Sequence, residues 1–185
     1  ARPPGAVAVI ASAWSTNEDL LAARELADFA PGIRAVIARA PVEDRKFPGF
    51  FISGDKNPNR AGVRDVFGVP DADASVRDLM KNLGNGGVSF AVLILSDPHD
   101  TVSASLAAAL TKIPFVALAH TRDPILARAR VVLPIATHYE NGGTYVNKDG
   151  RAQAFAAAVG ESTTSAARPA ARVLREMAGA EPGAR

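Results

Sequence analysis

The feature that most narrows what this chain can fold into is a strand signal that runs directly into a helix signal and is then followed by another strand. Residues 6–11 form an apolar run rich in Val and Ile, the pattern of a strand buried on both faces. Ser15-Thr16-Asn17-Glu18 comes next. A Ser with a Glu three places on reads as a capping box, here Ser15 with Glu18. The helix so begun carries Leu20, Leu21, Leu26 and Phe29 near helical spacing and stops before Pro31-Gly32. Residues 33–38 then read as a second strand, so the unit predicts a parallel, right-handed crossover.

The alternation continues. Short amphipathic pieces at 61–67 and 75–83 lead to the strongest strand signal, residues 90–95, bounded by Ser96-Asp97-Pro98. An Ala-rich helix at 101–112, a strand at 115–119, a short helix at 123–128 and a last strand at 131–133 follow. Together they predict an α/β fold, a doubly wound and mainly parallel Rossmann-like sheet with helices on both faces. Between 40 and 60 the periodicity fails, and Pro41, Pro48, Gly49, Gly54 and Pro58 accumulate. That predicts a long loop, of a length usually functional or mobile. Residues 144–147 and 151–155 read as a small β-hairpin around Lys148-Asp149-Gly150, with the glycine at a positive φ. A Ser/Thr/Ala-rich linker after Gly160 leads to a short helix at 169–177 with Pro169 in its first turn. The expected division is one α/β domain over 1–160, then linker and C-terminal helix or tail over 161–185.

Composition limits the chemistry. With 185 residues, 48% of them hydrophobic, the chain can bury one substantial core. Its charge of +2 is scattered, so no nucleic-acid footprint is expected. The absence of Cys rules out disulfides, thiolate zinc sites, iron–sulfur ligation and cysteine nucleophiles within these residues. No apolar run approaches the roughly 20 residues that span a bilayer, so a soluble chain is expected. It opens Ala1-Arg2-Pro3-Pro4 without Met, which reads as the cut end of a processed protein or an excised fragment.

In an open parallel sheet, ligands bind at the carboxyl ends of the strands. Those ends are polar here: 12–17, 96–101, 120–123 and 137–140. His99, His120 and His138 lie near Asp97, Asp100, Asp123 and Glu140, yet without tight metal-ligand spacing, so no metal is expected. Dinucleotide-binding and P-loop glycine motifs are absent. The turn at 12–16 could offer amides to an anion, although closing the helix explains it better. Ser96, His120 and Asp123 could be assembled into a triad on paper, but no nucleophile elbow supports one. Asn57-Pro58-Asn59-Arg60-Ala61-Gly62 has two readings of equal weight: a grip on a polar heterocycle or phosphate, or a turn in which Asn59 caps the next helix. Trp14 is expected to pack with its indole near the surface.

Four blocks in order carry a resemblance. NRAGVRDVFGVP (59–70) resembles the Asn-x-x-Gly-x-x-Asp-x-Gly-x-x-Pro loop of the molybdopterin oxidoreductases and their cofactor-free relatives. LILSDP (93–98) is similar to their strand-end motif, and FVALAHTRDPILARARVVLPIAT (115–137) to their Thr/Ala/Asp-Val-Val-Leu-Pro stretch. ENGGTYVNKDGRAQ (140–153) resembles their Glu-x-x-Gly-Thr-x-x-Asn-x-Glu-Gly-Arg-x-Gln signature, and Asn17-Glu18 is similar to their Thr-Asn-Glu helix. Within that superfamily the chain most resembles the carboxyl-terminal part of the large iron–sulfur subunits of NADH-quinone oxidoreductases, the respiratory complex I class.

That resemblance implies a non-catalytic scaffold module in an electron-input arm. It implies no cofactor in this chain, iron–sulfur clusters in the missing part of the parent, and other subunits of a membrane-bound respiratory complex as partners. It further implies a cytoplasmic place peripheral to the inner face of the cell membrane, without direct membrane insertion or nucleic acid. The positions it marks for cofactor binding, expected to be vestigial, are Asn59, Gly62, Ser96, Asp97, His120 and Thr121. A side chain replaces the strand-end glycine of LILSDP, and His120 stands where pterin-binding relatives carry an acid; both departures favour a vestigial pocket. The competing reading is the cofactor domain of a true molybdopterin oxidoreductase, formate dehydrogenase-like, with Asn59, Asp97 and His120 lining the pterin site. A stand-alone hydrolase or metal-binding domain is the third. The hairpin would be structural, held to the sheet's edge by Glu140, Thr144, Asn147 and Arg151.

Overall fold

A computed structural model describes residues 5–29, 32–97, 100, 102–159 and 166–179. Pro31, His99, the chain start at 1–4 and the first part of the expected linker, 160–165, lie outside the described residues.

The elements in order are β1 (Ala6–Ser12), α1 (Asn17–Asp28), β2 (Gly32–Ile37), β3 (Arg45–Phe47), β4 (Phe50–Ile52), a single turn α2 (Arg60–Gly62) that passes into a π-helical turn (Val63–Phe67), and α3 (Ala72–Gly84). Then come β5 (Val88–Leu95), α4 (Ala104–Leu110), β6 (Phe115–Ala119), a 3₁₀ turn (Pro124–Arg128), β7 (Val131–Pro134), β8 (Gly143–Val146), β9 (Ala152–Phe155) and α5 (Ala170–Met177). Five strands form one parallel sheet in the order β2-β1-β5-β6-β7. The expected doubly wound α/β fold is therefore present.

Period-two patterning of the strands divides the core into two layers. Val9, Ala11, Val92 and Ile94 face a cluster with Leu20 and Ala23 of α1, Val63 and Phe67 of the π turn, and Leu174 of α5. Ala8, Ile10, Ala91, Leu93 and Leu95 face the opposite cluster, with Leu79 of α3 and Leu106 and Leu110 of α4. Both faces of the central strands are covered, as a parallel sheet requires. After the second hairpin the chain returns beside the end of β7, where Ile135 bridges Arg168 and Ala136 N donates to Arg168 O at 2.9 Å. It then lays α5 on α1, with Ala170, Ala171 and Leu174 buried.

Several boundaries differ from the sequence reading. The capping box of α1 sits one residue later than expected: Thr16 is the N-cap, its Oγ1 accepts from Asp19 N at 3.2 Å, and Asp19 Oδ2 accepts from Thr16 N at 3.4 Å. Ser15 and Glu18 are engaged in tertiary bonds instead, which is why the later pair closes the helix. α3 starts earlier because Asp71 caps it, accepting from Ala74 N at 2.8 Å. α4 is shorter than its Ala-rich window because Ser103 takes the N-cap. The long loop contains a hairpin, β3–β4, whose strands have three residues each and no buried side, so no periodicity announced it.

Candidate functional site

The order β2-β1-β5 places a topological switch point between β1 and β5, where successive connections leave in opposite directions. The two strand ends there are held by one carboxylate. Buried Asp100 accepts from Ser12 Oγ at 2.8 Å, from Ser96 N at 2.8 Å and from Asp97 N at 3.0 Å. Burial pushes its carboxyl up to about 6, against the pull of those donors. The adjoining Ser15 and Ser96 hydroxyls bond at 2.8 Å, and His120 Nε2 donates to Ser96 O at 2.9 Å.

The hairpin β8–β9 closes the crevice from above. Tyr145 Oη donates to Trp14 O at 3.1 Å, and Thr144 donates from N and Oγ1 to the two oxygens of Glu18, each at 2.9 Å. Val146 N donates to Asn59 Oδ1 at 2.8 Å. Asn59 is fully buried, and its Nδ2 donates onward to Ser15 O at 2.8 Å and Asn17 Oδ1 at 3.0 Å. One amide therefore ties the π-turn segment, the β1–α1 turn and the hairpin together. Gly62 lies against this knot, where a Cβ would collide with Asn17 Oδ1 and Asn59 Oδ1. At the hairpin's own turn Gly150 has φ +79°, as its place there predicts.

Beneath the hairpin remains a small pocket of about 20 Å³, partly open to solvent, with room for one water. Trp14, Thr16, Asp19, Ser96, Thr137, His138, Asn141 and Tyr145 contribute to its wall. Trp14 is half-buried, and its indole Nε1 is buried without a hydrogen-bond partner. Burial raises Asp19, which accepts from Thr16 N and Ala171 N, and pushes the Tyr145 hydroxyl up to about 12, with Asp19 and Asp97 adding to the effect.

Of the six positions singled out in the sequence, only Ser96 lines this pocket. It meets His120 through its carbonyl and Asp97 through the shared Asp100 carboxylate, and Thr121 lies half-buried beyond His120. Asn59 and Gly62 form the separate knot under the hairpin. Asn59 occupies the N-cap position of α2, yet its side chain makes no capping bond, being engaged by the hairpin. The 12–16 turn offers no spare amide: Ala13 N, Trp14 N, Ser15 N and Thr16 N donate to Ile37 O, Ser12 Oγ, Ser12 O and Asp19 Oδ2.

The paper triad is not assembled either. His120 addresses the Ser96 carbonyl, Ser96 Oγ bonds Ser15, and Asp123 caps the 3₁₀ turn through Ile125 N at 2.8 Å. Among the described residues no three of His, Asp and Glu are grouped to hold a metal ion. Of the four expected hairpin clamps, Thr144 acts as one. Glu140 accepts instead from Thr137 N and Oγ1 at 2.9 Å, which hold its carboxyl below the ordinary range, and Asn147 Oδ1 accepts from Asp149 N and Arg151 N within the turn. The clamps the sequence reading missed are Glu18, Asn59 and Tyr145.

Comparison with known proteins matches residues 58–180 to the family model described as molybdopterin oxidoreductase. The chain is 37% identical over 83 residues to the G subunit of NADH-quinone oxidoreductase of Salmonella typhimurium strain LT2, covering 44% of this chain and 9% of that protein. The G subunit of the Escherichia coli strain K12 enzyme is 36% identical over the same length and shares. The match thus spans under a tenth of these relatives.

Proposed function

Since this chain belongs to the molybdopterin oxidoreductase family, we propose that it is a non-catalytic scaffold module of an NADH-quinone oxidoreductase polypeptide of the G-subunit type, one in which pterin binding has been lost. The carrying observation is that the groups at the switch point bond to each other. Asp100 takes the amides of Ser96 and Asp97, Asn59 takes the hairpin, and the hairpin leaves a small pocket of about 20 Å³.

In this reading Asn59, Gly62, Ser96, Asp97, His120 and Thr121 descend from cofactor contacts and now hold secondary structure. A pterin dinucleotide would need the hairpin lifted and Tyr145, Thr144 and Val146 released from Trp14, Glu18 and Asn59. The module's work is to hold a rigid surface beside cluster-bearing domains supplied by the rest of the parent, so electrons pass next to it. The partners are other subunits of the respiratory complex, with the module on the cytoplasmic side and peripheral to the membrane. No helix among the described residues is long and apolar enough to cross a membrane.

Molybdenum analysis and the ultraviolet–visible spectrum of the purified parent test this reading. Metal and pterin well below stoichiometric levels are expected, and one molybdenum per chain would sink it.

A further inference from the structure

α3 stops at Asn85-Gly86-Gly87, and the turn that stops it sets a backbone amide beside a carboxamide. Asn85 is the C-cap, with φ −94° and ψ 3°, and Gly86 follows at φ +76°. Gly87 N donates to Asn82 O at 2.8 Å, whereas Gly86 N reaches Leu83 O only at 3.4 Å. This is the Schellman pattern, with a glycine at the left-handed place and one of its two bonds long. Gly87 N also donates to Asn85 Oδ1 at 3.0 Å, so the Asn85 carboxamide already lies over the backbone that follows it. Asn85 and Gly86 are both exposed.

Only one other asparagine, Asn141, precedes a glycine, which leaves the next amide nitrogen open to approach. Asn57 precedes Pro58, whose nitrogen has no proton to lose. Asn141 is half-buried in the pocket wall, and its N donates to Thr137 O at 3.0 Å. The backbone after it is wedged: a Cβ on Gly142 would meet Phe155 O at 2.9 Å, and one on Gly143 would collide with Thr16. β8 begins at once and is fastened to Glu18 and Asn59. Rotation at Asn141 therefore strains the hairpin, while rotation at Asn85 is opposed only by the bonds of an exposed helix end.

We infer that Asn85 is a modification site, the asparagine at which this chain deamidates spontaneously to aspartate and isoaspartate. Fraying of the helix end turns Asn85 away from ψ 3° and frees Gly86 N, which loses its proton to solvent base and attacks Asn85 Cγ. A C–N bond forms, the side-chain nitrogen takes up a proton and leaves as ammonia, and a succinimide remains. Water then opens the ring at either carbonyl, giving aspartate or isoaspartate. Both products put a carboxylate at the negative end of α3. Isoaspartate also adds a methylene to the main chain ahead of Gly86 and so displaces Gly87. Gly87 O accepts from Ala6 N, the first residue of β1, at 2.8 Å, and Ser89 Oγ donates to Gly5 O at 2.8 Å beside it. The modification thus loosens the joint where α3 ends and β1 and β5 begin, at the opposite end of the strands from the switch point.

The test holds the full-length protein in mildly alkaline buffer and follows each asparagine by peptide mapping, with an isoaspartyl methyltransferase and labelled S-adenosylmethionine as the probe for isoaspartate. Label is expected at Asn85 about tenfold faster than at Asn141, and within about tenfold of the Asn85 rate in guanidinium. Hydrogen exchange at Ala6 should quicken in the modified fraction while that at Val146 stays unchanged. Asn85→Gln, whose longer side chain closes the ring far more slowly, should lose the label at this position, and Asn85→Ser repeats the test if that variant fails to fold. Label at Asn141 first would overturn the inference. So would a folded Asn85 rate a hundredth or less of that in guanidinium, on the order of the protection a closed helix end gives, or unaltered exchange at Ala6 in the modified protein.

Discussion

The chain builds two antiparallel hairpins of nearly equal size and treats them in opposite ways. β8–β9 is fastened at Thr144, Tyr145 and Val146 to three separate segments of the domain. Among the described residues β3–β4 is fastened only at its base, and it leaves three Phe and one Ile exposed. Strand chemistry does not separate them, because the apolar hairpin is the exposed one and the more polar hairpin, GTYV with AQAF, covers the sheet end. The difference lies in the counterpart each meets. A buried amide and a carboxylate wait for β8–β9, whereas nothing in the described chain receives β3–β4. Hydrogen-bond geometry therefore positions the first, and undirected apolar area advertises the second.

The contrast can be broken most severely at Asn59. Asn59→Ala removes the acceptor of Val146 N and the donors to Ser15 O and Asn17, leaving buried backbone groups without partners. A loss of about 3 kcal/mol in urea-unfolding stability is expected. Hydrogen exchange at Val146 should accelerate while that at Phe51 stays unchanged. Equal acceleration in both hairpins would show that they are not independent.

Asp100 is expected to have the next largest effect, through pH. Its folded carboxyl lies near 6, above the ordinary 3.8, so the folded state binds the proton more tightly than the unfolded one. The associated stability is complete below the unfolded value and declines as pH rises through about 6, by on the order of 3 kcal/mol. Asp100→Asn keeps an oxygen for the two amides and a donor for the Ser12 hydroxyl, and should flatten this decline. Asp19 is also raised by burial and shifts stability with the same sign, so a residual slope should persist. An unchanged pH profile of stability in the variant would remove Asp100 from the account.

Tyr145→Phe keeps the ring on Phe155, 5.0 Å between centroids, and loses only the hydroxyl bond to Trp14 O. About 1 kcal/mol should disappear from thermal or urea stability. Smallest of all is the expected effect of Phe50→Ser on the isolated chain, a stability change within about 0.5 kcal/mol because the ring is mostly solvated, together with higher solubility. A large loss there would mean that the arm is part of the core after all.

Much of the fold could be read from the chain because buried parallel strands announce themselves. Residues 115–119 and the β1–α1–β2 unit are legible from Val/Ile runs, helix spacing and breaking residues alone. Both clusters of the core follow from period-two alternation in β1 and β5. The capping box was displaced by one residue because Ser15-Thr16 offers two hydroxyls in a row, and only the bonds of Ser15 to Ser96 and of Glu18 to Thr144 decide between them. The hairpin at 45–52 was hidden because its alternation serves no buried face.

The site was less legible still. Family resemblance marked Asn59, Gly62 and Ser96, but local chemistry left Asn59 evenly between a ligand grip and a helix cap, whereas in the fold it is a cross-link over 87 residues to Val146. Asp100 carries no local signal, being a carboxylate in a polar stretch like many others, whereas Asp19 stands at capping-box spacing from Thr16 and only packing buries it.

What the sequence determined by itself was the pattern of elements, the two-faced parallel sheet and the family to which it belongs. These rest on short-range periodicities and contiguous motifs, which one strand of text contains. Only the tertiary structure decided that the groups at the switch point bond to one another, that the later hairpin is fastened over them and that the earlier one stands exposed. Each of those facts depends on which donor meets which acceptor across long stretches of chain, and a buried partner is a property of packing, not of residue type.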